Sequence, residues 1–343
     1  MYRFYLTFLL SLFIYGQTAQ AYEFQQMSHV FDLLQTEYSG CADFKQIAIA
    51  GNHSLSSYDP QIKVYYSDTK AFLYYKKKLI DQFILPEESS SPLWKNFVAD
   101  VFHSALEYSP LLKKHQSELE TKVVECMLQN LDKYSRFENK LTKQASLVTT
   151  LKHNSLYVKL TSFTDGQAAA LKQIIEQYPN IDGIILDLRD NHGGKFSEAL
   201  KIADLFLDSA LITYSQEKNR TKRYYTSHAG DVLNGKPIAI LTNEFTASAA
   251  EVVVIALKEQ SRAVLIGAKT YGKNSIQQVH SIGGKILYLT HGQFYSPSGK
   301  DISHVGVKPQ ICTTTDSQCA HSDPANLEKD IAIALEFIKN HIS

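Results

Sequence analysis

The sequence predicts a mixed α/β (α+β) fold preceded by a mainly helical region, and three observations carry that prediction. Residues 181–188 form a near-continuous apolar run, the pattern of a strand covered on both faces of a parallel sheet. Residues 238–241 and 263–266 are two more short apolar runs, separated by 247–260, which is rich in Ala, Val and Leu and long enough for a helix. Residues 94–106 and 119–131 instead place their apolar side chains at helical spacing.

Taken in order, the chain divides into residues 1–21, 22–142, 143–320 and 321–343. The first stretch reads as a secretory signal peptide: Arg3, an apolar run over 4–15 too short to span a membrane, and the small-residue site Ala19-Gln20-Ala21. Tyr22 then begins a mature protein that is exported, periplasmic or secreted, with no stable membrane insertion. Residues 22–142 are mostly helical, with a mixed, Tyr-rich piece over 58–75 and a loop over 87–92. Lys plus Arg and Asp plus Glu number 35 each, so the net charge of zero gives no reason to expect a nucleic-acid partner.

Export makes the four cysteines informative. Cys312 and Cys319 lie close enough to close a small loop, which would leave Cys41 and Cys126 to pair. Four cysteines permit three pairings in all, and the sequence does not choose among them. No CxxC or His/Cys cluster points to a metal, and no cofactor is expected. Asn52 and Asn219 head N-x-S/T triplets, which count only in a eukaryotic secretory pathway.

From 143 onward, strands are expected at 147–151 and 155–161, a helix over 165–178, and the central strand at 181–188. That strand runs into Asp187-Leu188-Arg189-Asp190-Asn191-His192-Gly193-Gly194 and a helix over 196–206. Glycines at such a junction let main-chain N–H groups face an approaching carbonyl oxygen. Strand and loop follow over 209–227, ending in the basic run Thr221-Lys222-Arg223-Tyr224-Tyr225-Thr226-Ser227. Gly283-Gly284 marks a hairpin turn, and 326–342 is a terminal amphipathic helix.

Two residues carry the chemistry. Ser248 lies where the helix over 247–260 begins, and there the unpaired amides and the positive dipole end favour a developing oxyanion. Lys273 follows Gly272 in the loop after the next strand. A serine hydroxyl needs a base to become a nucleophile, and a lysine serves only when neutral. Taken singly, a serine here is most often a helix cap and a loop lysine is most often solvated. Gly267 to Lys273 also fits the first seven positions of a phosphate-binding P-loop. Asn274 stands where that loop needs a hydroxyl, and 275–282 reads as a strand where it needs a helix.

In combination these segments resemble the C-terminal processing peptidases, or tail-specific proteases. Thr246-Ala247-Ser248-Ala249-Ala250-Glu251 is similar to the family's nucleophile motif SASASE, and Tyr271-Gly272-Lys273-Asn274-Ser275-Ile276-Gln277 to its FGKGxxQ. Residues 187–194 resemble LDLRxNxGG, and 126–135 the family's GMLxxLDPHS. Residues 295–302 resemble YxTPSGRxI, and 306–311 resemble GIxPDI. The resemblance implies a crotonase- and Clp-protease-like core of β-β-α units. It implies an exported serine endopeptidase acting on polypeptides, with cleavage near their C-termini as the family's name suggests, and with Ser248 as nucleophile, Lys273 as base and Gln277 orienting the lysine. Gly193 or Gly194, together with Ala249, would form the oxyanion hole. His192 fills a variable position of the motif and is expected to be incidental. The family usually inserts a PDZ domain after the helical region; only about a dozen residues follow Phe137 before the next strand, so the chain is expected to lack one. Tail specificity and gating are then in doubt, and an adaptor or homo-oligomer is left open. The alternative is a silent or partner-gated peptide- or ligand-binding protein on the same fold.

Overall fold

The computed structural model describes residues 24–139, 147–218, 220–316, 318–322 and 327–342. The expected signal peptide and Asn219 lie outside these residues. The chain forms two compact units, one of Met1–Lys140 with Gln277–His291 and the other of Leu141–Ile276 with Gly292–Ser343. Among the described residues no helix is long and apolar enough to cross a membrane.

The first unit begins with α1 (Gln25–Thr36) and α2 (Phe44–Tyr58). Asp43 caps α2 by accepting from the Gln46 N–H at 3.1 Å. The mixed Tyr-rich stretch is neither loop nor helix. It opens an antiparallel sheet of β1 (Ile62–Tyr66), β2 (Lys70–Tyr75) and β3 (Lys78–Ile84). Lys76 and Lys77 make the β2–β3 turn at φ of 50° and 66°, the left-handed conformation that a two-residue hairpin needs. Helices α3 (Ser91–Tyr108), α4 (Pro110–Lys114) and α5 (Gln116–Leu128) follow, then strand β4 (Arg136–Asn139). The core unites Val30, Phe31, Leu34, Val98, Phe102 and Val123, all fully buried.

Two points that the sequence left open are resolved in this unit. Cys41 and Cys126 are free thiols: Cys41 is exposed in the loop before α2, while Cys126 is half-buried on α5, which pushes its thiol pKa up. The Asn52 side chain is buried and donates to the Tyr66 hydroxyl at 3.0 Å, so it is shielded from glycosylation. The LDKYS turn has a clear structural role. Asp132 accepts from the Tyr134 N–H, the Ser135 N–H, the Ser135 hydroxyl and the Thr290 hydroxyl, at 2.8, 3.0, 2.6 and 2.9 Å.

The second unit is built on a six-stranded sheet. Its members are β5 (Leu147–Lys152), β6 (Ser155–Leu160), β7 (Gly183–Asp187), β10 (Ile238–Thr242), β11 (Val264–Gly267) and β14 (Ile311–Cys312), in the order β14-β11-β10-β7-β6-β5. All neighbours run parallel except the β5–β6 hairpin. Every residue of β7 and β10 is buried, as their apolar runs require. Alternation along the strands separates two cores. Ile184, Leu186 and Ile240 pack with Ala199 and Ile202 of α7 (Phe196–Asp204) and with Val252 and Val253 of α8 (Ala249–Glu259). Ile185, Ala239 and Leu241 pack with Ile331, Ala334 and Ile338 of α9 (Leu327–Asn340). Helix α6 (Gln167–Glu176) adds Leu171 and Ile175 to the first of these cores.

A second sheet contains β8 (Leu211–Glu217), β9 (Arg223–Thr226), β12 (Ser275–Ile282) and β13 (Lys285–Tyr295), in the order β12-β13-β8-β9. Gly283 and Gly284, with φ of 56° and 80°, form the β12–β13 turn. Sequence order does not mark the unit boundary. The middle of this hairpin, Gln277–His291, belongs to the first unit, where Lys285 to Tyr288 pair with β4; Gly292 to Tyr295 pair with β8 in the second. Of the pairings the sequence left open, the Cys312–Cys319 disulfide is present, with Cα atoms 5.9 Å apart.

Candidate active site

In a parallel sheet, neighbouring strands end at the same edge, and ligands bind in the crevice outside those carboxyl ends. Strands β7, β10 and β11 are consecutive neighbours. Their following loops, 188–195, 243–248 and 268–274, therefore meet. These three loops carry Gly193 and Gly194, Ser248, and Lys273.

The first two loops are zipped together. Asn243 donates from Nδ2 to Asp190 Oδ1 at 2.8 Å and accepts from the Asp190 N–H at 3.0 Å. The Thr246 hydroxyl donates to the Leu188 carbonyl at 2.8 Å, and the Ala247 N–H donates to the Asn191 carbonyl at 2.9 Å. Asn191 is fully buried; its Nδ2 donates to the Leu160 carbonyl and its Oδ1 accepts from the Gly193 N–H, both at 2.8 Å.

Ser248 is the N-cap of α8, with φ of 57° and ψ of −119°. A side chain in this region costs about 1–3 kcal/mol and persists only when its surroundings hold it there. The strain turns the strand–helix junction sharply and leaves Ser248 half-exposed between buried Ala247 and Ala249. Gly193 lies directly against this turn. A methyl group on it would sit 2.7 Å from the Ala247 carbonyl oxygen, 2.9 Å from the Ala249 nitrogen and 2.9 Å from Ser248 Cβ. Only glycine allows the two main chains to approach so closely.

The two glycines are not equivalent as donors. The Gly193 N–H is taken by Asn191. Gly194 forms a parallel bridge with Phe163 that uses the flanking Gly193 carbonyl and Lys195 N–H, at 3.1 and 2.8 Å. The Gly194 amide thus points away from Phe163. Of the two, the Gly193 amide is engaged by Asn191 and the Gly194 amide faces away from that contact.

The third loop is tied to the serine turn by Glu251, whose role the sequence reading missed. This side chain is 0% exposed. Its Oε2 accepts from the Ser248 N–H at 2.9 Å and the Lys273 N–H at 2.8 Å. Its Oε1 accepts from the Thr270 hydroxyl at 2.6 Å and the Gly272 N–H at 2.7 Å. One carboxylate oxygen therefore fixes the main chains of both Ser248 and Lys273. Burial dominates and pushes the Glu251 carboxyl above its ordinary range, although the four bonds pull it the other way. The available signal was the S-x-x-E capping box at 248–251. The Tyr271 N–H adds a bond to the Thr246 carbonyl at 3.0 Å. Gly306 supports the loop from behind, since a methyl group on it would lie 2.0 Å from the Thr270 carbonyl oxygen.

Gln277 lies on β12 and belongs to the first unit. His192 is exposed and packs edge-on against Phe245, with ring centroids 6.3 Å apart. Asp187 and Arg189 form a brace rather than a reactive pair. Arg189 donates to both Asp187 oxygens at 2.9 and 2.6 Å, and to Asp330 of α9 at 3.0 Å. The P-loop alternative fails because strand β12, not a helix, follows Lys273. Among the described residues no group of three or more His, Cys, Asp or Glu is placed to hold a metal.

Residues 154–313, which contain all three loops, match the family model described as Peptidase family S41. This segment is an S41 peptidase domain. Curated relatives of the S41 domain include carboxyl-terminal-processing peptidase 2 of Arabidopsis thaliana, 38% identical over 157 residues that cover 45% of this chain and 30% of that protein. The carboxy-terminal-processing protease of Bartonella bacilliformis is 36% identical, with 45% and 38% covered. The carboxy-terminal processing protease CtpA of Bacillus subtilis is 32% identical, with 48% and 36% covered. The alignments thus span about a third of these relatives' lengths. Among solved structures, mature CPAF complexed with lactacystin superposes with a TM-score of 0.50 at 12% identity, covering 93% of this chain and 99% of that one, and so shares the fold.

Proposed function

We propose that this chain is a serine-type endopeptidase in which Ser248 is the nucleophile and Lys273 the general base. The observation that carries the proposal is the shared oxygen of Glu251, which holds the main chains of Ser248 and Lys273 while Gly193 closes against the serine turn. In this mechanism neutral Lys273 takes the proton from Ser248 Oγ as Oγ attacks the peptide carbonyl carbon. The carbonyl π bond opens, and the oxyanion is met by the amides of Gly194 and Ala249 at the positive end of α8. As the carbonyl re-forms, the C–N bond breaks and the lysine proton passes to the leaving amine. Water, deprotonated by Lys273, then attacks the acyl-enzyme and releases Ser248. Gln277 orients the lysine in this proposal.

Residues 1–21 direct export, which places the enzyme in a periplasmic or secreted compartment. Its substrates are polypeptides, and a preference for C-termini is inferred from its similarity to carboxyl-terminal-processing proteases. The chain is read as carrying no PDZ insertion between β4 and β5, which only residues 140–146 separate in sequence. The test is cleavage of an unfolded protein by the mature chain beside Ser248→Ala and Lys273→Ala. Wild type is expected to yield new termini and both variants none while keeping the wild-type melting curve. Cleavage by Lys273→Ala at the wild-type rate would contradict the dyad.

A further inference from the structure

The chain carries as many positive as negative residues, yet one short segment departs from that balance. The β8–β9 connection and β9 itself place Arg220, Lys222 and Arg223 together, all exposed. With Ser215, Glu217 and Thr221 they line an open cavity of about 460 Å³. Arg220 is paired with Glu217 at 2.8 Å. Lys222 and Arg223 lie over aromatic rings instead. The Lys222 ammonium is 4.6 Å from the Tyr214 ring centre and the Arg223 guanidinium is 5.1 Å from that of Tyr225. Among the described residues neither forms an ion pair with a carboxylate. Their charge is thus presented on a rigid aromatic floor and is open to an incoming anion.

The backbone beneath these cations is equally available. Strand β9 is the last member of its sheet and, among the described residues, pairs with β8 alone, through Ser215 to Arg223 and its neighbours in the ladder. Its outer edge offers a row of unpaired main-chain groups. A ring contact links β9 to the start of α7, next to the glycine loop. Tyr225 of β9 packs edge-on against Phe196 with ring centroids 5.3 Å apart, and Phe196 follows Gly193, Gly194 and Lys195 as the first residue of α7.

We propose that β9 receives the polypeptide substrate as an added strand and selects acidic segments. The ladder bonds would be sequence-independent, and selection would come from side chains, whose direction alternates along a strand. Arg223 shares a face with Tyr225, and Lys222 shares the other face with Tyr214 and Tyr224. An acidic residue on either face of the added strand therefore meets a cation. This selection deepens the peptidase reading, but the binding step does not depend on Ser248 being the nucleophile.

The test uses the full mature chain carrying Ser248→Ala and two fluorescein-labelled decapeptides, one with glutamates at successive positions and one with glutamines in their place. Fluorescence anisotropy is expected to show tighter binding of the glutamate peptide. Lys222→Glu with Arg223→Glu should weaken that peptide about tenfold or more and leave the glutamine peptide unchanged. Lys339→Glu, on α9, controls for net charge and should change neither. Equal affinities, a preference that survives the double reversal, or no binding of either peptide would each overturn the proposal. Wild type that binds with this preference but never cuts would refute the peptidase reading and spare this one. Wild type that cuts both peptides alike would do the reverse.

Discussion

Asp132 in the first unit and Glu251 in the second are both carboxylates that accept four hydrogen bonds, yet their acidities move in opposite directions. Burial raises Asp132, but the bonds from Ser135, Tyr134 and Thr290 outweigh it and hold the carboxyl below its usual range. Burial wins at Glu251, which sits above its range despite as many donors. The difference lies in water. Asp132 is only half-buried, whereas Glu251 has no exposed surface. A half-wet carboxylate can staple a turn cheaply. A dry one opposes its own ionisation and is retained where its geometry matters, here between the turn bearing Ser248 and the loop bearing Lys273.

This comparison can be broken most directly by neutralising each group. Glu251→Gln replaces one acceptor oxygen with an NH₂ that faces main-chain donors. Small misplacements of reacting groups cost about 100-fold in rate, so kcat for peptide cleavage is expected to fall by about that factor with little change in KM. Asp132→Asn should leave kcat within about twofold. Equal losses in both variants would erase the distinction.

The next effect is on stability. Asp132→Asn leaves donors around its turn incompletely satisfied and should cost about 1–3 kcal/mol in urea unfolding at pH 7. The pH dependence sharpens the contrast further. Asp132 is depressed in the folded state, so its contribution is present above the ordinary aspartate range and is lost as pH falls through its lower folded value. Glu251 is raised, so its contribution is fullest below the ordinary glutamate range and declines as pH rises through its higher folded value. The gap between wild type and Asp132→Asn should therefore widen with rising pH, and the gap between wild type and Glu251→Gln should narrow. Parallel curves would contradict the assigned directions. The smallest effect is expected for Thr290→Val, which removes one of the four donors to Asp132 and should cost about 1 kcal/mol by the same unfolding measurement.

The two carboxylates also show what a sequence reveals. Strands β7 and β10 and helix α8 were legible because full burial writes itself as unbroken apolar runs. Ser248, Gly193 and Lys273 were legible through short motifs at turns. The capping-box half of Glu251 was visible too, since Ser248 is three residues away. Its bonds to Thr270, Gly272 and Lys273 were not, because they depend on β10 and β11 being neighbours in the sheet. The 62–84 sheet was obscured by its exposure: Tyr65, Leu79 and Ile84 are solvent-facing, so apolar residues do not mark one face. Assignment of Gln277–His291 to the first unit was hidden because one eleven-residue strand, β13, pairs at its two ends in different units. The pairing of Cys41 with Cys126 was inferred from number alone, which carries no geometry.

The central claim is that Ser248 is an activated nucleophile, and a fluorophosphonate probe tests it most directly. The mature protein is expected to form one covalent adduct, located on Ser248 by mass spectrometry of its peptides. Ser248→Ala should form none, and Lys273→Ala should form it at a rate reduced by at least about 100-fold. An unmodified Ser248, or an adduct at another serine that persists in Ser248→Ala, would contradict the account.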